Sequence, residues 1–143
     1  MKSELENIFG VDTIDKNAKG ELIITDSYEL IVIDGEPVAF KIGDKVYPTL
    51  RFILNNNFNK GRVVVDMGAV KFLANGADVM APGIVGADEN IKVGDVVFVV
   101  DENHNRPLCV GEALMDGKRM VESKSGKSIK TLHHVGDEIW NFK

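Results

Sequence analysis

The pattern of apolar and polar positions is clearest between residues 63 and 84, where it predicts a strand, a helix and a second short strand. Three successive valines at residues 63–65 suit a strand, because β-branched side chains pack well on a pleated, half-buried surface. Asp66 follows at the position of a helix N-cap, where its carboxylate can accept hydrogen bonds from free backbone N–H groups. Helical spacing then predicts one apolar face, formed by Val70, Leu73, Ala74 and Ala77.

The end of this helix is predicted at Asn75-Gly76, because glycine adopts the left-handed conformation at low steric cost. Residues 79–81 resume as strand, and Pro82-Gly83 predicts a turn. The side of the helix away from the apolar face carries Lys71 and Asn75, beside the bare backbone of Gly76. A basic side chain next to an exposed glycine backbone can receive a polyanion.

The first third of the chain carries a separate pattern, which predicts a small unit of helices and strands. Its opening residues predict a short helix that ends at Gly10, with one apolar face formed by Leu5, Ile8 and Phe9. Two apolar runs, at residues 21–26 and 28–34, then predict strands. The Asp34-Gly35 pair predicts a hairpin turn, after which residues 36–40 return antiparallel.

A further helix is predicted after the turn at Gly43-Asp44. Pro48 suits its first position, where the missing backbone N–H is no loss, and the apolar side would be formed by Leu50, Ile53 and Leu54. The polar run at residues 55–61 breaks the pattern and predicts a boundary between two units, residues 1–61 and 62–143. Because each unit is small, we expect the two to pack against each other.

Composition is typical of a soluble globular protein, with 44% apolar and 27% charged residues. No apolar run approaches the roughly 18 residues of a membrane helix. The first ten residues lack the apolar core of a signal peptide. Cys109, the single cysteine, excludes an internal disulfide and is expected to be a small buried hydrophobe within a strand. A cytoplasmic location is therefore expected.

The net charge of −5 argues against indiscriminate binding of nucleic acid, since proteins that coat phosphate backbones are usually basic. The charge is unevenly distributed, however. Residues 118–130 hold one acidic side chain, Glu122, against five basic ones, Lys118, Arg119, Lys124, Lys127 and Lys130. Such a patch is either a localised site for an anionic partner or a solvated surface, and charge alone does not distinguish the two.

Catalytic and metal-binding patterns are not found in the sequence. Cys109 and the histidines do not form a recognisable nucleophile–base arrangement. His133 and His134 are adjacent in a predicted strand and would point to opposite faces, and there is no CxxC or HxxxH spacing. A GxxxxGK[ST] phosphate-binding loop is also missing. We therefore expect a protein that is not an enzyme and that holds no metal or cofactor.

Residues 62–143 resemble a PUA domain, the small RNA-binding barrel found in pseudouridine synthases and archaeosine transglycosylases. The resemblance begins in the stretch from Val63 to Ile84 and continues through the motifs IKVGDVV at 91–97, PLCVG at 107–111, GKSI at 126–129 and HHVGDEIW at 133–140. Upstream, YPTLR at 47–51 is similar to a segment of one subgroup, the malignant T-cell-amplified-sequence and translation-machinery-associated proteins. The implied fold is a small α+β N-terminal domain followed by a mainly-β PUA pseudo-barrel.

The resemblance implies recognition of structured RNA by shape, with the tRNA acceptor end or rRNA as the expected ligand in translation. A-form RNA closes its major groove to side chains, so proteins read its minor groove, 2′-hydroxyls and splayed ends. The implied partners are the small ribosomal subunit and a protein with an initiation-factor-like domain. The implied RNA contacts are Lys71, Asn75, Gly76, Ala77, Asp78, Lys127, Lys130 and His133.

Two other functions stay open. The chain could supply RNA recognition to a modifying enzyme such as a pseudouridine synthase or a tRNA transglycosylase. Alternatively, it could be a protein-interaction module that holds a partner through its N-terminal sheet. Tyr47 and Arg51, one helical turn apart, are expected either at the domain interface or in contact with such a partner. Phe72 and Trp140 are expected in the core rather than on a base-stacking surface.

Overall fold

A computed structural model describes residues 19–143, which form two sheets. The first sheet is an antiparallel meander of β1 (Gly20–Ile24), β2 (Glu29–Ile33), β3 (Glu36–Ile42) and β4 (Lys45–Pro48). The hairpin predicted at Asp34-Gly35 is confirmed, and both residues have positive φ, 50° and 82°. The helix predicted over Leu5, Ile8 and Phe9 lies outside the described residues.

Helix α1 (Leu50–Asn56) begins two residues later than predicted. Pro48 is instead the last residue of β4, a strand that the sequence pattern missed. Thr49 caps the helix, because its hydroxyl accepts from the Phe52 N–H at 3.1 Å and donates to the Pro37 carbonyl at 2.7 Å. This cap sets the helix phase so that the buried side chains are Leu50, Phe52 and Ile53. Leu54, predicted on the apolar side, is 49% exposed.

The second sheet contains six strands in the order β6-β10-β9-β8-β5-β7, and only the β5–β8 pair is parallel. Its strands are β5 (Arg62–Val65), β6 (Val79–Met80), β7 (Ile84–Ala87), β8 (Val96–Asp101), β9 (Pro107–Ala113) and β10 (Lys127–His134). The connections contain α2 (Met67–Ala74), a 3₁₀ turn (Ala81–Gly83) and α3 (Gly117–Glu122). This mainly-β curled sheet is the barrel part of the predicted fold, and α3 is an element that the sequence pattern missed.

Helix α2 begins and ends as its sequence predicted. The Asp66 carboxylate accepts from the Ala69 N–H at 3.0 Å, which caps the first turn. Gly76 follows the helix with φ of 83°, and its N–H donates to the Leu73 carbonyl at 3.0 Å. Leu73 is buried beneath the helix, whereas Ala74, which was predicted on the same face, is exposed.

The two sheets share an apolar core. Strand β8 is buried on both faces: Val97 and Val99 point into the barrel, and Phe98 and Val100 point towards the first sheet. The core between the sheets takes residues from both halves of the chain, namely Leu30, Val32, Phe40, Tyr47, Leu50, Ile53, Phe98, Val100, Val110 and Ile139. Trp140 is partly buried against this core. The hydrophobic interior therefore continues across residue 61, where the sequence pattern predicted a boundary.

Three findings bear on the functional classes considered from sequence. Within residues 19–143, no helix has the length and hydropathy to span a membrane. In the same part of the chain, no group of three or more His, Cys, Asp and Glu side chains is arranged to hold a metal ion. Cys109 is fully buried, and this burial raises the pKa of its thiol to about 12. Its side chain is therefore a neutral core group and not a nucleophile at neutral pH.

Candidate nucleic-acid interface

Helix α2 and strands β6 and β10 meet on one side of the barrel. Strand β6 pairs antiparallel with β10, so that Met80 lies opposite Lys127 and Val79 opposite Ile129. The turn after α2 leads directly into β6. Seven of the eight predicted RNA contacts lie on α2, on the turn after it, and at the exposed positions of β10. We call the surface that they form the α2–β10 face: Lys71, Asn75, Gly76, Ala77, Asp78, Lys127 and Lys130.

A cleft of about 470 Å³ opens beside this face, between α2, β6 and the 3₁₀ turn. Its walls are mainly apolar and include Phe72, Leu73 and Met80, and two carboxylates, Asp66 and Asp78, also line it. Phe72 is 58% exposed and Met80 is 49% exposed. The prediction that Phe72 belongs to the core is wrong, because the helix phase turns Leu73 inward in its place. Large apolar side chains exposed around a cleft are typical of a binding surface.

Asp78 holds Lys127 beside the cleft. One carboxylate oxygen of Asp78 lies 3.0 Å from Lys127 Nζ, and the other accepts from the Thr131 N–H at 2.9 Å. Burial alone would raise the pKa of the Asp78 carboxyl, but these two hydrogen bonds and the charges of Lys127 and Lys130 outweigh it. The pKa of Asp78 therefore lies below its usual value, and the ionised carboxylate offsets much of the charge on Lys127.

Lys71 and Lys130 carry the less compensated charge of the face. Both are exposed, and neither has a carboxylate within ion-pairing distance among residues 19–143. Lys71 Nζ lies 5.4 Å from the ring centroid of Phe72, on the same helix. The face thus offers two unpaired cations, and one of them, Lys71, lies beside an exposed aromatic ring.

The turn around Gly76 contacts β10. The Ala77 carbonyl accepts from the Thr131 hydroxyl at 2.9 Å, and the side chain of Asn75 folds back onto the Lys71 carbonyl at 3.2 Å. His134 packs against Gly76, where a Cβ atom would lie 2.9 Å from its Nε2. Its Nδ1 lies 2.9 Å from the Val135 carbonyl, so Nδ1 donates to that oxygen. The sequence pattern did not single out this histidine for the face.

His133 lies away from the α2–β10 face. Its side chain is fully buried, with Nδ1 at 2.8 and 2.9 Å from the two carboxylate oxygens of Asp137. Its Nε2 accepts from the Leu50 N–H at 3.1 Å, which fixes the tautomer with the proton on Nδ1. The predicted RNA contact at His133 does not fit this burial. Adjacent histidines do point in different directions, but the face of His133 is covered by the first sheet and α1.

Asp137 completes this buried arrangement. Burial by itself would raise the pKa of the Asp137 carboxyl. The hydrogen bond from His133 and those from the N–H groups of Trp140 and His134 lower that pKa by more than burial raises it. The pKa of Asp137 consequently lies below its usual value, so the carboxylate is ionised at neutral pH and orients the His133 ring.

Tyr47 and Arg51 lie at the contact between the two sheets. Arg51 Nη2 donates to the carbonyl oxygens of Trp140 and Phe142, both at 2.7 Å, and so ties α1 to the C-terminal segment. Tyr47 is 3% exposed and stacks on Phe40 with ring centroids 5.2 Å apart. Both side chains thus contribute to the junction inside the chain, which is one of the two roles considered for them.

Replacing Gly76 with valine is expected to destabilise the fold by about 2 kcal/mol or more, since a β-branched residue resists positive φ and its Cβ would displace His134. Gly35→Val is a matched control, because Gly35 has φ of 82° but no atom within 4 Å of an added Cβ. Urea unfolding should show the larger loss for Gly76→Val. Equal losses would show that the His134 ring moves aside freely.

Known proteins match this chain over most of its length. The PUA domain family model matches residues 61–135. An uncharacterized protein of Methanocaldococcus jannaschii is 62% identical over 145 residues, which cover 100% of this chain and 90% of that protein. Translation machinery-associated protein 20 of Saccharomyces cerevisiae is 33% identical over 138 residues, which cover 92% and 76%. The crystal structure of a hypothetical protein from Pyrococcus horikoshii superposes with a TM-score of 0.85 at 42% identity, covering 96% and 89%.

Proposed function

The chain belongs to the PUA domain family, together with translation machinery-associated protein 20 of yeast, and we propose that it binds structured RNA in a cytoplasmic, translation-associated role without catalysis. The observation that supports this most directly is the α2–β10 face. It combines two unpaired lysines, Lys71 and Lys130, with an apolar cleft on a chain whose net charge is −5. An acidic protein with one such face is suited to an anionic ligand that also carries planar apolar groups.

The end of an RNA stem with an unpaired overhang is the ligand that fits these features. In our proposal, Lys71 and Lys130 contact phosphates, while an unpaired base enters the cleft and lies against Phe72 and Met80. The bare backbone at Gly76 allows a sugar or phosphate to approach closely. A tRNA acceptor end or an rRNA helix end would both present this combination.

We also propose a division of roles between the two halves of the chain. Residues 62–143 would form the RNA-binding PUA domain, and residues 1–61 an α+β domain that precedes it. The contacts of Arg51 and the buried Leu50–His133 hydrogen bond support a rigid connection between them. The first sheet would then be available to position the barrel on its partners, which we propose are the small ribosomal subunit and a protein with an initiation-factor-like domain.

Binding to three RNAs of equal length tests the proposed function. Fluorescence anisotropy would compare a hairpin with a 3′ overhang, a blunt hairpin and an unstructured single strand. We expect the overhang hairpin to bind at least about tenfold more tightly than either of the others, since only it supplies both a stem end and a free base. Equal affinities for all three would contradict shape recognition, and the lack of any binding would contradict the function itself.

A further inference from the structure

A second group of cations lies outside the α2–β10 face. Lys118 and Arg119 on helix α3, and Lys124 in the loop after it, are all exposed. None of the three has a carboxylate partner at ion-pairing distance in the part of the chain that the structure describes. We call these three residues the α3 cations. The proposed contact with an RNA end does not use them.

Helix α3 presents these cations from a fixed position. The Asp116 carboxylate caps it by accepting from the Arg119 N–H at 2.7 Å, and Met120 is fully buried beneath it. Gly117 packs so closely on the neighbouring backbone that a Cβ there would lie 2.0 Å from the Asp88 carbonyl oxygen. The helix is thus held on the barrel surface at its start and in its middle.

The loop after α3 leads to the rim of the cleft. The Ala81 N–H, in the 3₁₀ turn that borders the cleft, donates to the Gly126 carbonyl at 2.9 Å. Lys124 is two residues before Gly126, so their Cα atoms lie within about 7 Å of each other. Lys124 therefore lies near the 3₁₀ turn that borders the cleft, and the start of α3 packs against Asp88, the residue after β7.

The charge along this segment suits a ligand whose negative charge repeats along a line. Residues 118–130 hold five cations against the single carboxylate of Glu122, on a chain that is otherwise strongly acidic. Lys127 is already paired with Asp78, but the α3 cations remain available. The phosphate backbone of a duplex repeats its charge at short intervals, and a basic row beside a bound end can follow it.

We propose that the α3 cations contact the phosphate backbone of the RNA stem whose end is bound at the α2–β10 face. This inference rests on the proposed function and adds to it: the protein would require a stem of a minimum length. An RNA that supplies only an overhang and a few base pairs would reach Lys71 and Lys130 but not α3.

The test compares two hairpins that carry the same 3′ overhang, one with a stem of less than half a helical turn and one with a full turn. Each is titrated with the wild-type chain, with the triple variant K118A/R119A/K124A, and with the control K19A/K41A/K60A, which removes equal charge elsewhere. Wild type and control should bind the longer stem at least about tenfold more tightly. The α3 variant should lose this preference, and its log–log salt slope on the longer stem should fall by about 2 units.

Four outcomes would overturn the inference. If the α3 variant bound both hairpins more weakly by the same factor, the α3 cations would contact the RNA end and not the stem. If it bound neither hairpin more weakly, the α3 cations would not contact the RNA at all. A wild-type chain that binds both hairpins equally would contradict a stem requirement while leaving the proposed function intact. Failure of wild type to bind either hairpin would contradict both. Because all three side chains are exposed, the melting temperature of the variant should match that of wild type.

Discussion

Replacing Lys71, Lys127 and Lys130 together with alanine is expected to weaken binding of an overhang hairpin by at least about tenfold. Each phosphate contact that is lost flattens the log–log salt dependence by slightly less than one unit. The expected change in slope is about 2 rather than 3, because Lys127 is paired with Asp78 and shares its charge with that carboxylate. Titrations at several salt concentrations measure both quantities.

The matched control for this variant removes three other lysines. Lys19 directly precedes β1, Lys41 lies in β3, and Lys60 lies in the segment after α1. Lys16, a further lysine of the N-terminal half, lies outside the described residues and is therefore left in place. Equal weakening by control and variant would show that the attraction is diffuse and that the α2–β10 face is not the site. No effect of either would favour a protein-interaction module.

Asp78 gives a sharper version of the same experiment. The single change Lys127→Ala would leave the Asp78 carboxylate unpaired beside the phosphates, so it should weaken binding through repulsion as well as through a lost cation. Changing Asp78 to alanine in the same chain removes that repulsion. If the double variant Asp78→Ala/Lys127→Ala binds RNA more tightly than Lys127→Ala alone, the Asp78–Lys127 ion pair lies within the RNA contact surface.

Replacing His133 with alanine is expected to lower the free energy of unfolding by about 3 kcal/mol, the largest loss that we expect for a single histidine here. The change removes a fully buried ring, leaves the Leu50 N–H without its acceptor, and removes one of the donors to the Asp137 carboxylate. Urea denaturation at neutral pH, followed by circular dichroism, measures the loss.

His134→Ala is the matched control, since it removes the same side chain one residue further along β10, where it is only half-buried. We expect it to cost about 1 kcal/mol or less. The salt slope of RNA binding should be unchanged in folded His133→Ala, because the ring contacts no solvent. If the two variants were equally stable, the role assigned to His133, a buried link between β10 and α1, would be wrong.

Strand β10 shows why the site could be predicted only in part. Its pairing with β9 shifts register between Thr131 and His133, which marks a β-bulge, and a bulge breaks the strict alternation of side chains. Lys130, before the shift, is exposed, whereas His133, after it, is buried against Leu50. A period of two places residues 130 and 133 on opposite faces, and the extra residue of the bulge changes that assignment. The burial of His133 is then decided by α1, which packs on His133 and leaves Lys130 exposed.

The sequence by itself determined the features that depend on near neighbours. The Asp66 cap, the stop at Gly76 and the Asp34-Gly35 turn each involve backbone groups only a few residues apart, and the structure confirms all three. The membership of residues 61–135 in the PUA family was also carried by local motifs. Lys71 was also predicted correctly to lie near residues 75–78, because helix α2 carries it and Gly76 ends that helix one turn later.

Only the tertiary structure decided how these elements meet. Leu50 and His133 are 83 residues apart, and Asp78 and Thr131 are 53 apart, yet each pair is joined by a hydrogen bond. Such contacts bury one histidine, neutralise much of the charge on Lys127, and turn Phe72 outward beside a cleft. Local propensity and charge do not encode them, because burial and ion pairing depend on which distant surfaces the packed sheets bring together.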